Sequence, residues 1–226
     1  MFPKNRISFL LKKLVIILFI PSILLNIFLS YKISSQNIAN KVRVIGVIDG
    51  DTVVLENKTR LRLRHLDSPE LENCGGENAR QLLTSLVEGK SITIEEQIPD
   101  QNGRAMALIY VDTLLVNQKM LESGWSHYHS DQTTKTSELK KIANEARSKN
   151  LGIFSPLCLQ ETNPDNPECI IKGNLENKRK SGRRLYYLPG CAQYKFVKVE
   201  KDLGERWFCT EEEASTAGYL KPATCK

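Results

Sequence analysis

The stretch RLRLRHLDSPE, residues 60–70, places cations and carboxylates where chemistry could be done. Alternation at period two puts Leu61 and Leu63 on one face of a strand and Arg60, Arg62 and Arg64 on the other. The run then stops at Asp67 and Glu70, which flank Ser68-Pro69, and proline stiffens that turn. Upstream, IDGDT (48–52) supplies Asp49 and Asp51. Asp51 begins the strand expected to pair with the one ending at Asp67, so these two carboxylates can converge. Close carboxylates repel one another unless a cation holds them or one takes a proton. Hard oxygen ligands around an open site suit Ca²⁺. Arg60 and Arg64 read as a solvated outer face, and His65, on the leucine side, as a partly buried structural histidine.

The surrounding sequence must build a frame for these residues. VRVIGVID, TVVLEN and TRLRLRHL are short runs rich in β-branched residues and leucine, separated by turns at 49–51 and 56–59, and they read as a meander. GGENARQLLTSLVEG (75–89) carries Ala79, Leu82, Leu83, Leu86 and Val87 at helical spacing and stops at Gly89. KSITIEEQI (90–98) and AMALIYVD (105–112) alternate again. A short helix is predicted over 114–124 and a longer one over 134–152, with Leu139, Ile142, Ala143 and Ala146 on one face. The fold class is α+β: a five-stranded barrel of the oligonucleotide/oligosaccharide-binding (OB) type, with three helices.

VIDGDTVVL, RLRHLDSPE, DQNGRAMALIYVD, LVNQKMLESGWSHY and ANEARSKNLGIFS occur in the order and approximate spacing of the thermonuclease family, the staphylococcal-nuclease-like domains. The resemblance covers about 42–155. It implies an OB barrel and a Ca²⁺-dependent phosphodiesterase acting on DNA and RNA, preferably single-stranded or unstructured. By position it implies that Asp51 and Asp67 bind Ca²⁺ directly, with the Ser68 backbone carbonyl as a further ligand. Glu70 would orient or deprotonate the attacking water, Arg62 and Arg104 would be the two catalytic arginines, and Asp49 would support the loop. Where the best-known member has a lysine and a tyrosine against nucleotide phosphate, this chain has Gln101 and Asn102. Trp125 and Tyr128 stand nearest to a shifted aromatic and suit core packing or base stacking. The resemblance also implies a disulfide between Cys74 and Cys158.

The N-terminus reads as a membrane segment: Leu14–Tyr31 carries no charge and is long enough to span a bilayer core. Basic residues precede it, which favours an uncleaved anchor with an exported remainder at the cell surface or in the periplasm; a cleaved signal peptide, and so secretion, is the rival. Residues 1–32 hold five basic residues and no acid, leaving 27 basic against 26 acidic residues. Nucleic-acid binding must therefore rest on local patches rather than a global basic field. The expected organisation is an anchor (1–32), a linker (33–41), the nuclease-like domain (42–155), a Pro-rich linker (156–168) and a cysteine-rich module (169–226).

In that module RRLYYLPGC and YKFVKVE read as strands and TEEEASTAGY as a helix, with Thr210 and Glu213 at capping-box spacing. It resembles a short domain often found beside such nucleases and, more distantly, the metal-binding domain of Ada-type DNA-repair proteins. Cys169, Cys191, Cys209 and Cys225 are expected to form structural disulfides, with a Zn²⁺ site as the alternative. KRKSGRR (178–184) suits phosphates or a solvated hairpin loop. Two rivals to the nuclease reading stand: a catalytically silent nucleic-acid-binding OB domain, and an envelope-associated binding protein working through the module.

Overall fold

The structure is a computed structural model that describes residues 21–28, 41–176 and 182–225. Most of the expected anchor, the 33–40 linker and much of KRKSGRR lie outside the described residues. Residues 21–28 are helical with exposed apolar side chains, and among the described residues no helix is long and apolar enough to cross a membrane. Val42–Lys226 form one compact unit.

The alternating runs form the strands they imply. β1 (Lys41–Val47) pairs antiparallel with β2 (Thr52–Leu55), which pairs antiparallel with β3 (Arg60–Leu63) in the register Thr52↔Arg62 and Val54↔Arg60. β4 (Leu66–Asp67) follows, then helix α1 (Gly76–Val87). β5 (Ser91–Pro99) lies beside β1, and β6 (Ala105–Val111) pairs with β5. β6 also runs parallel to β3, with Leu61↔Ala105 and Leu63↔Ala107, so the pairing returns to its starting strand. A parallel pair needs a long crossover, and the segment through α1 and β5 provides it. Leu61 and Leu63 face inward with Val44, Val53, Ile92 and Ile109, and Ala79, Leu83 and Val87 of α1 join that core.

The second predicted helix starts two residues late. β7 (Leu114–Leu115) first extends the sheet against Val111 and Tyr110, and α2 (Val116–Glu122) follows. β8 (His127–Tyr128) pairs with β4, and α3 (Thr136–Ser148) buries Leu139, Ala143 and Ala146. Gly124 must be glycine: its φ is +73°, and a Cβ there would meet the Leu151 carbonyl at 2.5 Å.

The expected linker 156–168 is not wholly irregular. β9 (Leu159–Gln160) within it pairs with β12 (Val199–Glu200) of the module. β10 (Ile171–Leu175), β11 (Arg184–Tyr187) and β13 (Trp207–Phe208) form a three-stranded sheet with β10 in the centre. Only the last two residues of YKFVKVE are extended. Its start coils into a turn because the buried Lys172 ammonium draws in the carbonyls of Tyr194 and Val197, at 3.2 and 2.6 Å. Helix α4 (Glu211–Thr216) is capped as expected. Thr210 Oγ1 accepts from the Glu213 amide, while the Glu213 carboxylate accepts from the amide of Cys209, one residue further out than the motif predicts.

All six cysteines are paired: Cys74–Cys158, Cys169–Cys209 and Cys191–Cys225. The first is the pair the family resemblance implied. The other two remove the Zn²⁺ alternative, because sulfurs bonded to one another are not thiolate ligands.

Candidate active site

The catalytic-type residues gather where β2 begins and β3 and β4 end. The Asp49–Asp51 turn is closed by Asp49, whose Oδ1 accepts from the Asp51 amide at 3.0 Å. Gly50 makes the turn possible. A Cβ there would sit 2.5–2.7 Å from Ala79 and Ser68, so only glycine lets the turn lie against the Asp67–Glu70 turn. Asp51 is 2% exposed. Its Oδ2 accepts from the Ser68 amide at 3.0 Å and its Oδ1 from the Thr52 hydroxyl at 3.0 Å. Its carbonyl accepts from the Leu63 amide, locking the two turns together.

Arg62 occupies the centre. One nitrogen, Nη2, lies 2.8 Å from Asp51 Oδ2 and 3.1 Å from Asp67 Oδ1. The two carboxylates thus converge, and a single cationic atom already bridges them. Burial nevertheless pushes the Asp51 carboxyl up to about 7, with nearby Asp49 adding to the effect. The Arg62 charge and the donors from Ser68 and Thr52 offset it only in part. A buried carboxylate in this state lacks positive charge.

The donor set therefore fits a hard cation: two carboxylate oxygens within reach of one centre, beside the Ser68 turn. Among the described residues no group of three or more His, Cys, Asp or Glu side chains is arranged to hold a metal. An ion here would take two protein carboxylates and fill its remaining positions with backbone oxygen, water and substrate, which Ca²⁺ tolerates.

Outside Arg62 and Asp67 opens a cleft of about 780 Å³. Gln101, Asn102 and Arg104 line another part of it. Arg104 stands in the same cleft as Arg62 but is held by Asp100, with Nε 2.6 Å from Oδ2. Asp100 also accepts the amides of Asn102 and Arg104, so the DQNGR turn organises itself. Glu70 is exposed and is not part of the cleft wall. Five of the six expected groups, Asp51, Arg62, Asp67, Ser68 and Arg104, thus adjoin or line one site, and the Glu70 side chain stands outside it.

Other expectations divide. His65 is buried, as expected, with Nε2 2.8 Å from the Thr133 hydroxyl and its ring stacked on Tyr128. Burial keeps its imidazole below the usual histidine range. Arg60 is exposed as predicted, but Arg64 is not: it is 4% exposed and clasps Asp131 through two nitrogens at 2.6 and 2.7 Å. The outer face is covered there by the chain around 129–136, which alternation cannot foresee. Trp125 packs on both the barrel core and the Ile153–Phe154–Cys158 cluster, and Tyr128 packs on the barrel core and His65. Neither lines the cleft.

Three residues that sequence reasoning did not single out support the site. Ser126, 1% exposed, shares a 2.6 Å hydroxyl hydrogen bond with Ser68. Asn117 donates to the Arg64 and Ala107 carbonyls and accepts from the Ile109 amide, fixing the β3 exit to β6. His127 pairs with Asp67 across β4 and β8. The polar run Ser126-His127 beside an apolar helix end was the available signal.

The staphylococcal nuclease homologue family matches residues 60–156, a stretch that holds Arg62, Asp67, Ser68, Glu70 and Arg104. Probable staphylococcal-like nuclease CAN2 of Oryza sativa subsp. japonica is 34% identical over 117 residues, 52% of this chain and 30% of that protein. Staphylococcal-like nuclease CAN1 of Arabidopsis thaliana is 35% identical over 114 residues, 50% of this chain and 33% of that protein. An uncharacterized endonuclease of Escherichia coli O157:H7 is 33% identical over 121 residues, 50% of this chain and 76% of that protein. The chain spans about a third of the length of those plant relatives. With its matched segment and with the carboxylates and arginines arranged as described, the chain belongs to the staphylococcal nuclease homologue family.

Proposed function

We propose that this protein is a Ca²⁺-dependent phosphodiesterase that cuts DNA and RNA, preferring single-stranded or unstructured segments. The observation that carries the reading is the bridging of Asp51 and Asp67 by one cationic nitrogen of Arg62, at the edge of an open cleft that also holds Arg104. The cyclic strand pairing supports an OB-type barrel as the platform.

Asp51, Asp67 and the Ser68 carbonyl would hold the ion, which when bound supplies Lewis-acid polarisation of the phosphoryl group. Arg62, released from the two carboxylates, addresses an equatorial phosphate oxygen. Arg104 exchanges Asp100 for a second oxygen. Planar guanidiniums match the charge that grows on these oxygens during in-line attack. Glu70, on the exposed side of the turn, orients the attacking water and accepts its proton. Asp100 holds Arg104 in reserve near the cleft until an anion competes for it.

The N-terminal run at 14–31 and its basic flank support an uncleaved membrane anchor with an exported remainder. Three disulfides agree with an oxidising compartment. Carbonate-washed membranes should retain the protein; its release into the wash would remove the anchor.

The decisive assay is degradation of single-stranded DNA by the full chain. Ca²⁺ should be required, EGTA should abolish cutting, and Glu70→Ala should do the same. Arg62→Ala should lower the rate on the order of 10²–10³-fold or more. A second reading, a nucleic-acid-binding barrel without catalysis, draws on the exposed Glu70 and the Asp100-bound Arg104. DNA binding without any Ca²⁺-stimulated cutting would establish it instead.

A further inference from the structure

We propose that the C-terminal module completes the active site: Asp202 and His127 are positioning residues for the turn Asp67–Glu70. The inference rests on reading that turn as the metal- and water-binding edge of a nuclease.

The module reaches this turn from both sides, through His127 before it and Cys74 after it. At its start, Asp67 lies opposite His127 in the β4–β8 pair. The His127 Nε2 is 2.6 Å from Oδ2 of Asp202, which belongs to the single-turn helix Lys201–Leu203 of the module. Asp202 is 2% exposed, and no other carboxylate or cation among the described residues is paired with it. A buried carboxylate is costly to desolvate, so its retention at this junction calls for a task beyond filling space. Phe154 stands edge-on to His127 at 5.4 Å, which leaves the ring little room to turn. Ser126, the residue before His127, holds the Ser68 hydroxyl. Orientation of His127 by Asp202 therefore reaches a carboxylate ligand and the Ser68 turn through one short strand.

At its far end the turn is held again. The Cys74 amide donates to the Lys201 carbonyl at 3.3 Å, and the Lys201 amide donates to the Cys158 carbonyl at 2.8 Å. The Cys74–Cys158 bridge closes this triangle. Gly204 turns away at φ +79°, beside the Asn73 side chain. Between the two anchors, the Glu70 carbonyl accepts from the Asn73 amide and presses on Gly76, where a Cβ would lie 2.0 Å from it. Glu70 thus sits on a span fixed through the module on either side. The matched family segment ends at residue 156, so it holds Cys74 and His127 but neither Lys201 nor Asp202, the module residues that tie them.

Partners behind the ligands of a metal typically change its affinity 10–100-fold when altered. The test uses the full chain with Asp202→Asn, His127→Gln and the pair together. All keep side-chain volume close to the original. Ca²⁺ binding is read by calorimetry without substrate, and cutting of single-stranded DNA is read separately. Each single variant should weaken Ca²⁺ binding about 10-fold, with KM at saturating Ca²⁺ unchanged. The double variant should be no weaker than either single one, because the two residues act as one unit. A role in packing alone would instead lower the melting temperature and leave Ca²⁺ affinity where it was, which overturns the inference. Unchanged Ca²⁺ affinity in either folded variant, beside a wild type that binds and cuts, overturns it alone. A wild type that neither binds Ca²⁺ nor cuts removes the underlying nuclease reading as well.

Discussion

The barrel and the C-terminal module solve the same folding problem in opposite ways. The barrel closes its strands on one another and fills the interior with aliphatic side chains from β1, β2, β3, β5 and β6 and from α1 to α3. The module owns two small clusters, one of which is half cystine: Leu185 and Tyr187 with Cys191 and Cys225. It adds buried polar anchors. Lys172 takes two carbonyls, and Glu205 accepts from Asn174, Leu175 and Glu200. A unit this small buries too little apolar surface to stand by packing alone, so covalent and polar ties do the holding. The lesson is that one chain can place its rigidity in contacts that tolerate no void and, next door, in bonds that tolerate one.

That contrast can be broken by experiment, and the largest effect belongs to the barrel. Leu61→Ala empties a site that is 1% exposed, and global stability should fall by about 3–4 kcal/mol in urea unfolding. Serine at both Cys169 and Cys209 should cost about 2–4 kcal/mol. Hydrogen exchange should then show the loss confined to 169–225, with the barrel amides still protected. Equal loss of protection in both regions would erase the distinction.

A smaller and opposite effect should come from Asp51. Its carboxyl is pushed up to about 7 from an ordinary 3.8. Between those values the folded protein keeps a proton that the unfolded chain has lost. The group therefore favours the fold most at low pH, and that support disappears as pH rises through 7. Without Ca²⁺, Asp51→Asn should raise stability by about 1–3 kcal/mol above pH 7 and by little below pH 4. Melting curves in EDTA against pH would measure this, and saturating Ca²⁺ should reverse the order of the two proteins. The smallest effect is reserved for Arg60→Ala: its side chain is exposed, and the melting temperature should stay within about a degree.

Much of this was legible because it is local. Alternation at 60–63 gave β3 with Leu61 and Leu63 inward, and helical spacing gave α1 almost to its ends. The DQNGR turn holds Arg104 to Asp100 within five residues. What stayed hidden is non-local. Arg64 meets Asp131 across 67 residues, and His127 meets Asp202 across 75. No periodicity in either segment points to its partner. Glu70 shows the limit from the other side: motif position implies a role for it, but only the coordinates show that it is exposed and not part of the cleft lining.

The bridge between Cys74 and Cys158 encloses β5, β6, α2 and α3 in one covalent ring. The exposed tip at 101–103 lies inside that ring. A protease that nicked this tip would leave both pieces fastened together, one holding β1, β2, β3 and β5 and the other β6 and β7. Such a clipped protein should run as two fragments on a gel only after reduction, so a single cut would not dismantle it.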